Sequence, residues 1–268
     1  MIVQIVSAAL LLSGGLPIRA PVPSTEAGPS GSGAIDRTVS RMSDSLGSGI
    51  SGKLKGPFFR YLTQRPFAAK VNGRIGNYLI GFWPAEKNRV TSLAYRNPER
   101  FIEVTPANQE TPVSEHFRIR DFLTKGQANV WPKYLVLDER LVDKLELVID
   151  DLNTRGIVVR HVQVMSGFRT PSYNGPGGEG RSGVSRHMYG DAADVFVDND
   201  RNGRMDDLNR DGRVDHRDAR VILESVERIE RRHPSLAGGV GVYKANAAHG
   251  PFAHVDVRGW RARWGLIG

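Results

Sequence analysis

No cysteine occurs among the 268 residues. That absence excludes disulfide scaffolds, thiolate zinc sites, iron-sulfur clusters and cysteine nucleophiles together, so any bound metal is held by His, Asp or Glu. Long apolar runs are missing too. The first, residues 2–12, is shorter than the roughly 18 apolar residues a membrane-spanning helix needs, so no stable membrane span is expected. Its length suits the core of an export signal, and residues 1–20 read as a signal peptide directing the chain to the periplasm or out of the cell. Acidic charge is the smaller share: Asp and Glu number 29 against 37 Lys and Arg, a net charge of +8. Such a balance favours a polyanionic partner, an anionic cell wall among them, through long-range attraction. Nucleic acid is not expected, because no basic helix or recognition motif accompanies the charge. At 40% hydrophobic and 25% charged residues, the composition also excludes wholesale disorder and a polytopic membrane protein.

Along the chain, residues 21–55 are rich in Pro, Ser and Gly without apolar periodicity, the composition of a flexible linker. Within it, residues 47–53 read GSGISGK, but Leu54 stands where a phosphate-binding loop needs Ser or Thr, and no strand precedes it. Residues 56–111 hold short aromatic and branched runs, 78–83 and 101–104, broken by Pro and Gly, and predict a small β module. From 112 to 268 helices and strands mix. Asp138 precedes Leu141, Val142, Leu145, Val148, Ile149 and Leu152, helical spacing behind an N-cap and closed by Gly156. Residues 157–165 predict a strand, 221–229 a helix stopped by Pro234, and 239–243 and 252–257 two more strands. The expected fold class is α+β: a small mixed sheet with flanking helices, preceded by the β module.

The chemistry concentrates in residues 185–194, SRHMYGDAAD, which place His187 and Asp194 seven residues apart across a glycine turn. A second motif, FAHVD at 252–256, follows some sixty residues later. Two His and one carboxylate supply the three protein ligands of a catalytic zinc, whose fourth position is left for water. Bound zinc lowers the pKa of water to about 7 and polarises a carbonyl, which suits hydrolysis without a protein nucleophile. Taken alone, a His near an Asp is more often a surface pair or a satisfied core pair.

The surrounding motifs add a resemblance. SGFRTP at 166–171, S-x-H-x-x-G-x-A-x-D at 185–194 and H-x-D at 254–256 resemble the zinc D-Ala-D-Ala peptidase superfamily, which includes murein endopeptidases, D,D-carboxypeptidases and the vancomycin-resistance dipeptidase. GGVGVY at 238–243 before FAHVD is similar to its YcbK-like branch, and the likeness spans about 112–264, including SEHF at 114–117. The resemblance implies a hedgehog/D,D-peptidase-like fold, hydrolysis of peptide bonds in peptidoglycan stem peptides, and His187, Asp194 and His254 as zinc ligands. Arg169 falls at the position it associates with substrate binding and carbonyl polarisation, where a planar fork of donors suits an oxyanion. Many relatives carry Glu or Asp three residues before the last ligand; here that residue is Pro251. Asp256, two residues along a strand from His254 and therefore on its face, is the expected base or ligand orienter. His249 is a secondary candidate for stabilising the intermediate.

Residues 175–180, GPGGEG, match a dinucleotide glycine pattern without the following helix, and are expected instead as a mobile rim beside the zinc site. A calcium loop is expected at Asp207, Asn209, Asp211, Arg213 (through its carbonyl), Asp215 and Asp218, with Gly212 at the sixth position. An overlapping copy begins at Asp198, with Asp200, Asn202, Gly203 and Asp206, but shares Asn209 with the second loop and reads as the weaker one. The alternative to a peptidase is a non-catalytic, metal-stabilised cell-wall-binding protein, suggested by Pro251 and the calcium-type loop.

Overall fold

The computed structural model describes residues 62–176 and 182–265. The signal-like run, the linker, the phosphate-loop-like stretch and residues 177–180 of the glycine-rich loop lie outside the described residues.

The chain opens with β1 (Gln64–Pro66), a hairpin of β2 (Arg74–Ile75) and β3 (Tyr78–Leu79), then β4 (Arg100–Val104) and β5 (Lys133–Leu135). There follow helix α1 (Glu139–Thr154), β6 (Val162–Ser166), the single turn α2 (Pro171–Asn174), β7 (Ala192–Val197) and helix α3 (His216–Arg232). Strands β8 (Gly239–Tyr243), β9 (Phe252–Asp256) and β10 (Ala262–Gly265) complete it. The mixed α+β class expected from the sequence is the class observed.

Local chemistry accounts for both long helices. The Asp138 carboxylate accepts the Arg140 N–H at 2.9 Å, satisfying one of the free donors at the start of α1, and the six apolar residues behind it are all buried. In α3, Asp215 accepts the Arg217 N–H and Asp218 reaches back to the Asp215 N–H, a reciprocal capping pair. The strand expected over 157–165 forms only from Val162. Upstream, the Asn153 amide takes both the N–H and the carbonyl of Val159, and Asn199 takes the Arg160 N–H, so those backbone groups are unavailable to a sheet.

Five strands form the main sheet in the order β10-β8-β9-β7-β6, parallel only between β8 and β10. Both β7 and β9 are buried along their whole length, and α3 packs against β8, β9 and α1. A second, antiparallel sheet runs β1-β4-β5. Here β4, from the expected β module, pairs with β5, which lies beyond residue 112, through Ile102 opposite Leu135. One apolar core runs across that boundary: Trp83 is fully buried against Phe67 and Phe101, and its indole N–H donates to the Met188 carbonyl at 2.8 Å. The early strands thus buttress the turn that carries His187. Among the described residues, no helix is long and apolar enough to cross a membrane.

Asp143, half-buried on α1, titrates at about 6, pushed up by burial and then by Glu139, Asp138 and Glu146. Because the folded state binds this proton more tightly than the unfolded chain does, the contribution to stability is present at low pH and lost as pH rises through about 6. Asp143→Asn should therefore raise the melting temperature at about pH 8 and leave it nearly unchanged at about pH 4. Equal shifts at both pH values in thermal melts would contradict the assignment.

Candidate metal centre

Strand register builds the centre. On the antiparallel pair β7–β9, Asp194 lies directly opposite His254, which puts side chains sixty positions apart in sequence on one face at pairing distance. His187 comes from the 3-10 turn Arg186–Tyr189 that leads through Gly190 into β7. The three side chains are buried and present one atom each to a common point. His254 Nδ1 is 2.9 Å from Asp194 Oδ1 and 3.1 Å from His187 Nε2, and His187 Nε2 is 3.2 Å from Asp194 Oδ1.

The other ring nitrogens determine what these atoms are. His187 Nδ1 lies 2.7 Å from the Gly167 carbonyl, so it carries the hydrogen and leaves Nε2 as an acceptor. His254 Nε2 faces Asp256 Oδ2 at 3.1 Å, which likewise turns Nδ1 inward. Two imidazole nitrogens and a carboxylate oxygen converging at about 3 Å need a positive charge among them, which without a metal is the proton His254 holds between its two carboxylate partners and with one is the ion itself. Zinc–ligand bonds of about 2.0–2.1 Å in a tetrahedron place donor atoms about 3.3–3.4 Å apart, close to the separations found. The residues therefore fit a metal ion, and the set is the His187, Asp194 and His254 of the sequence reading.

Electrostatics follow from the same contacts. Burial lowers the His187 pKa more than Asp194 raises it. For His254 burial acts downward as well, but hydrogen bonds to Asp194 and Asp256 prevail and lift it to about 9. Asp194 and Asp256 stand well below the usual carboxylate range: burial alone would raise them, but the histidines, and for Asp256 also Arg258, outweigh it.

The remaining candidates settle as follows. Arg169 lines the cleft above the centre, but its Nη2 is 2.5 Å from Asp194 Oδ2 and its Nε donates to Ser166 Oγ at 2.8 Å, so it steadies the carboxylate ligand. Asp256 shares the face of His254 as expected and is fully buried and held between His254 and Arg258; of the two expected roles, base or ligand orienter, this geometry fits the orienter of His254. His249 also lines the cleft, but Nδ1 donates to the Gly250 carbonyl and Nε2 accepts from the Asn246 amide, so both nitrogens serve their own loop. Among the described residues lining the cleft, Asp194 is the sole carboxylate.

Both calcium-type loops close on their own carboxylates, Asp198 taking the Gly203 N–H and Asp207 that of Gly212. Asp198, Asp200 and Asp206 of the first come together as a group that could hold a metal ion; among the described residues the carboxylates of Asp207, Asp211, Asp215 and Asp218 form no such group. Asp218 is buried and spends Oδ1 on the N–H groups of Leu208 and Asn209 and Oδ2 on that of Asp215, while Arg217 pairs with Asp211. As part of the α3 cap, Asp218 already serves three backbone N–H groups.

Two residues of the wall escaped sequence reasoning. The Arg186 guanidinium pairs with buried Asp191, donates to the Ala94 carbonyl at 2.6 Å, and lies 5.2 Å from the Tyr95 ring and 4.9 Å from that of Tyr189. Trp264 packs 5.1 Å from the His254 ring, in space left by Gly241, where an added Cβ would overlap the indole nitrogen. The glycine in the 185–194 motif has its own reason. Gly190 sits at φ +71°, and a Cβ there would overlap the Val136 carbonyl at the entry to α1. Gly190→Ala should displace the His187 turn and reduce bound metal several-fold, with the left-handed strain alone costing about 1–2 kcal/mol. Full metal content in a normally stable variant would refute this role.

An α+β chain with a buried two-His, one-Asp group that could hold a metal ion is the class that fold and site define. Compared with protein-family models, curated proteins and solved structures, the chain matches none.

Proposed function

We propose that the protein is a zinc-dependent peptidase acting on peptide bonds in bacterial peptidoglycan stem peptides. The observation that carries the reading is the convergence of His187 Nε2, Asp194 Oδ1 and His254 Nδ1 at the floor of an open cleft of about 1240 Å³. The motif resemblance to the D-Ala-D-Ala peptidase superfamily supplies the substrate class, and the export-like N-terminus and basic charge agree with a cell-wall target.

Zinc, when bound, would polarise the scissile carbonyl and acidify a water molecule. The chain's own residues do the rest. The Gly167 carbonyl and Asp256 hold the two imidazoles in the tautomers that expose the inward nitrogens. Arg169 holds Asp194 aimed at the centre, and its position in the cleft wall lets the guanidinium meet negative charge developing on a substrate oxygen. Tyr95, Tyr243 and Trp264 give the cleft rigid walls against which a peptide can lie.

A second reading, a metal-stabilised wall-binding protein, is favoured by one specific observation: among the described lining residues, no carboxylate besides Asp194 is present to accept a proton, and the His249 nitrogens are engaged. Elemental analysis joined to mass spectrometry of peptidoglycan fragments, with and without a chelator, separates the two. Near-stoichiometric zinc with chelator-sensitive cleavage is expected; zinc with fragment binding but no cleavage would establish the second reading, and no zinc would refute both.

A further inference from the structure

Five basic residues line the cleft, Lys125, Arg169, Arg186, Lys244 and Arg258, against the single acid Asp194. The three arginines are neutralised: Arg169 by Asp194, Arg186 by buried Asp191 and Arg258 by buried Asp256. Lys125 and Lys244 differ from them. Both side chains are exposed, and neither has an ion-pair or hydrogen-bond partner among the described residues. They belong to separate elements: Lys125 follows the 3-10 turn Ile119–Phe122, and Lys244 follows β8 directly. A metal at the floor would commit Asp194 further and add positive charge, leaving the cleft strongly cationic where a ligand enters.

Building on the peptide reading above, we infer that Lys125 and Lys244 are specificity-determining residues that select peptides bearing free carboxylates over the same peptides with those groups amidated. Unpaired ammonium groups on the wall of a concave cleft concentrate an anionic ligand and align it by attraction that salt screens. Neither residue touches the metal ligands, so their contribution lies in binding and in the choice among substrates. A neutral peptide of the same shape gains nothing from them.

The test measures fluorescence anisotropy of dye-labelled Nε-acetyl-L-Lys-D-Ala-D-Ala, as free acid and as C-terminal carboxamide, on the zinc-loaded full chain. Lys125→Gln and Lys244→Gln are compared with the parent, and zinc content is determined for each sample. At low ionic strength the acid should bind more tightly than the amide, and each substitution should weaken the acid by about threefold to fivefold while leaving the amide unchanged. Raising salt from about 0.05 to about 0.5 M should close the gap between acid and amide. Equal affinities for acid and amide, or variants that weaken both alike, would overturn the inference while the peptide reading stands. Binding of neither peptide to zinc-loaded protein would overturn that reading, and the inference with it.

Discussion

His187→Ala is expected to lose nearly all bound metal and all chelator-sensitive peptidase activity while retaining the fold. The imidazole supplies one of three converging atoms, and the Gly167 carbonyl fixes its Nδ1 so that Nε2 points at the other two. Loss of an outer partner of a metal ligand typically costs about 10–100-fold in affinity, and loss of a ligand itself should exceed that. The fold should survive because the turn is held by other contacts, chiefly Trp83 to the Met188 carbonyl and Arg186 to Asp191. Metal content by elemental analysis, far-ultraviolet circular dichroism and cleavage assays on one preparation decide it. A variant that keeps one metal per chain, or keeps cleaving, would remove His187 from the centre.

The second large effect lies beneath the site. Lys144 on α1 is completely buried; its Nζ donates to Glu230 Oε1 on α3 and to the Asp256 carbonyl on β9, each at 2.8 Å. Burial lowers its pKa, and Glu230 offsets only part of that. Glu230 also receives Arg263 at 2.5 Å and the Gly238 N–H at 3.0 Å, so one ion pair ties two helices to the sheet edge next to His254. Lys144→Ala removes two buried hydrogen bonds and empties the space of the stem while Glu230 keeps Arg263 and the Gly238 N–H, and should cost about 2–5 kcal/mol of folding stability. Lys144→Met, which keeps the stem's volume, should cost less, because only the polar contacts are lost and Arg263 still faces Glu230. Denaturant unfolding measures both, and a loss under about 1 kcal/mol for the alanine variant would show that the pair is structurally idle.

How much of this was legible depended on distance along the chain. Asp138 caps α1 two residues on and the apolar spacing of both long helices repeats over one turn, so both were readable locally, whereas the cap by Asp215 that starts α3 at His216, ahead of the expected 221, was not read. Helical spacing also places Lys144 on the face of Leu141 and Val148, but its partner Glu230 is 86 positions away and no local pattern signals it. The calcium-type spacing of Asp207 to Asp218 was legible for the same local reason, whereas the second duty of Asp218, holding the Leu208 and Asp215 N–H groups at the start of α3, is visible only in the fold.

By itself the sequence determined the α+β class, the two long helices and strands β8 and β9 in full, because residue type and short-range spacing carry that information, while His187, Asp194 and His254 were named as candidate ligands through the motif resemblance. Only the tertiary structure decided that Asp256 orients His254, that His249 serves its own loop, that Tyr95 and Trp264 wall the cleft and that strand β4 shares a sheet with β5. Those outcomes rest on which atoms meet across long separations, and strand register, which set Asp194 opposite His254, is resolved only when the sheet closes and buries one face.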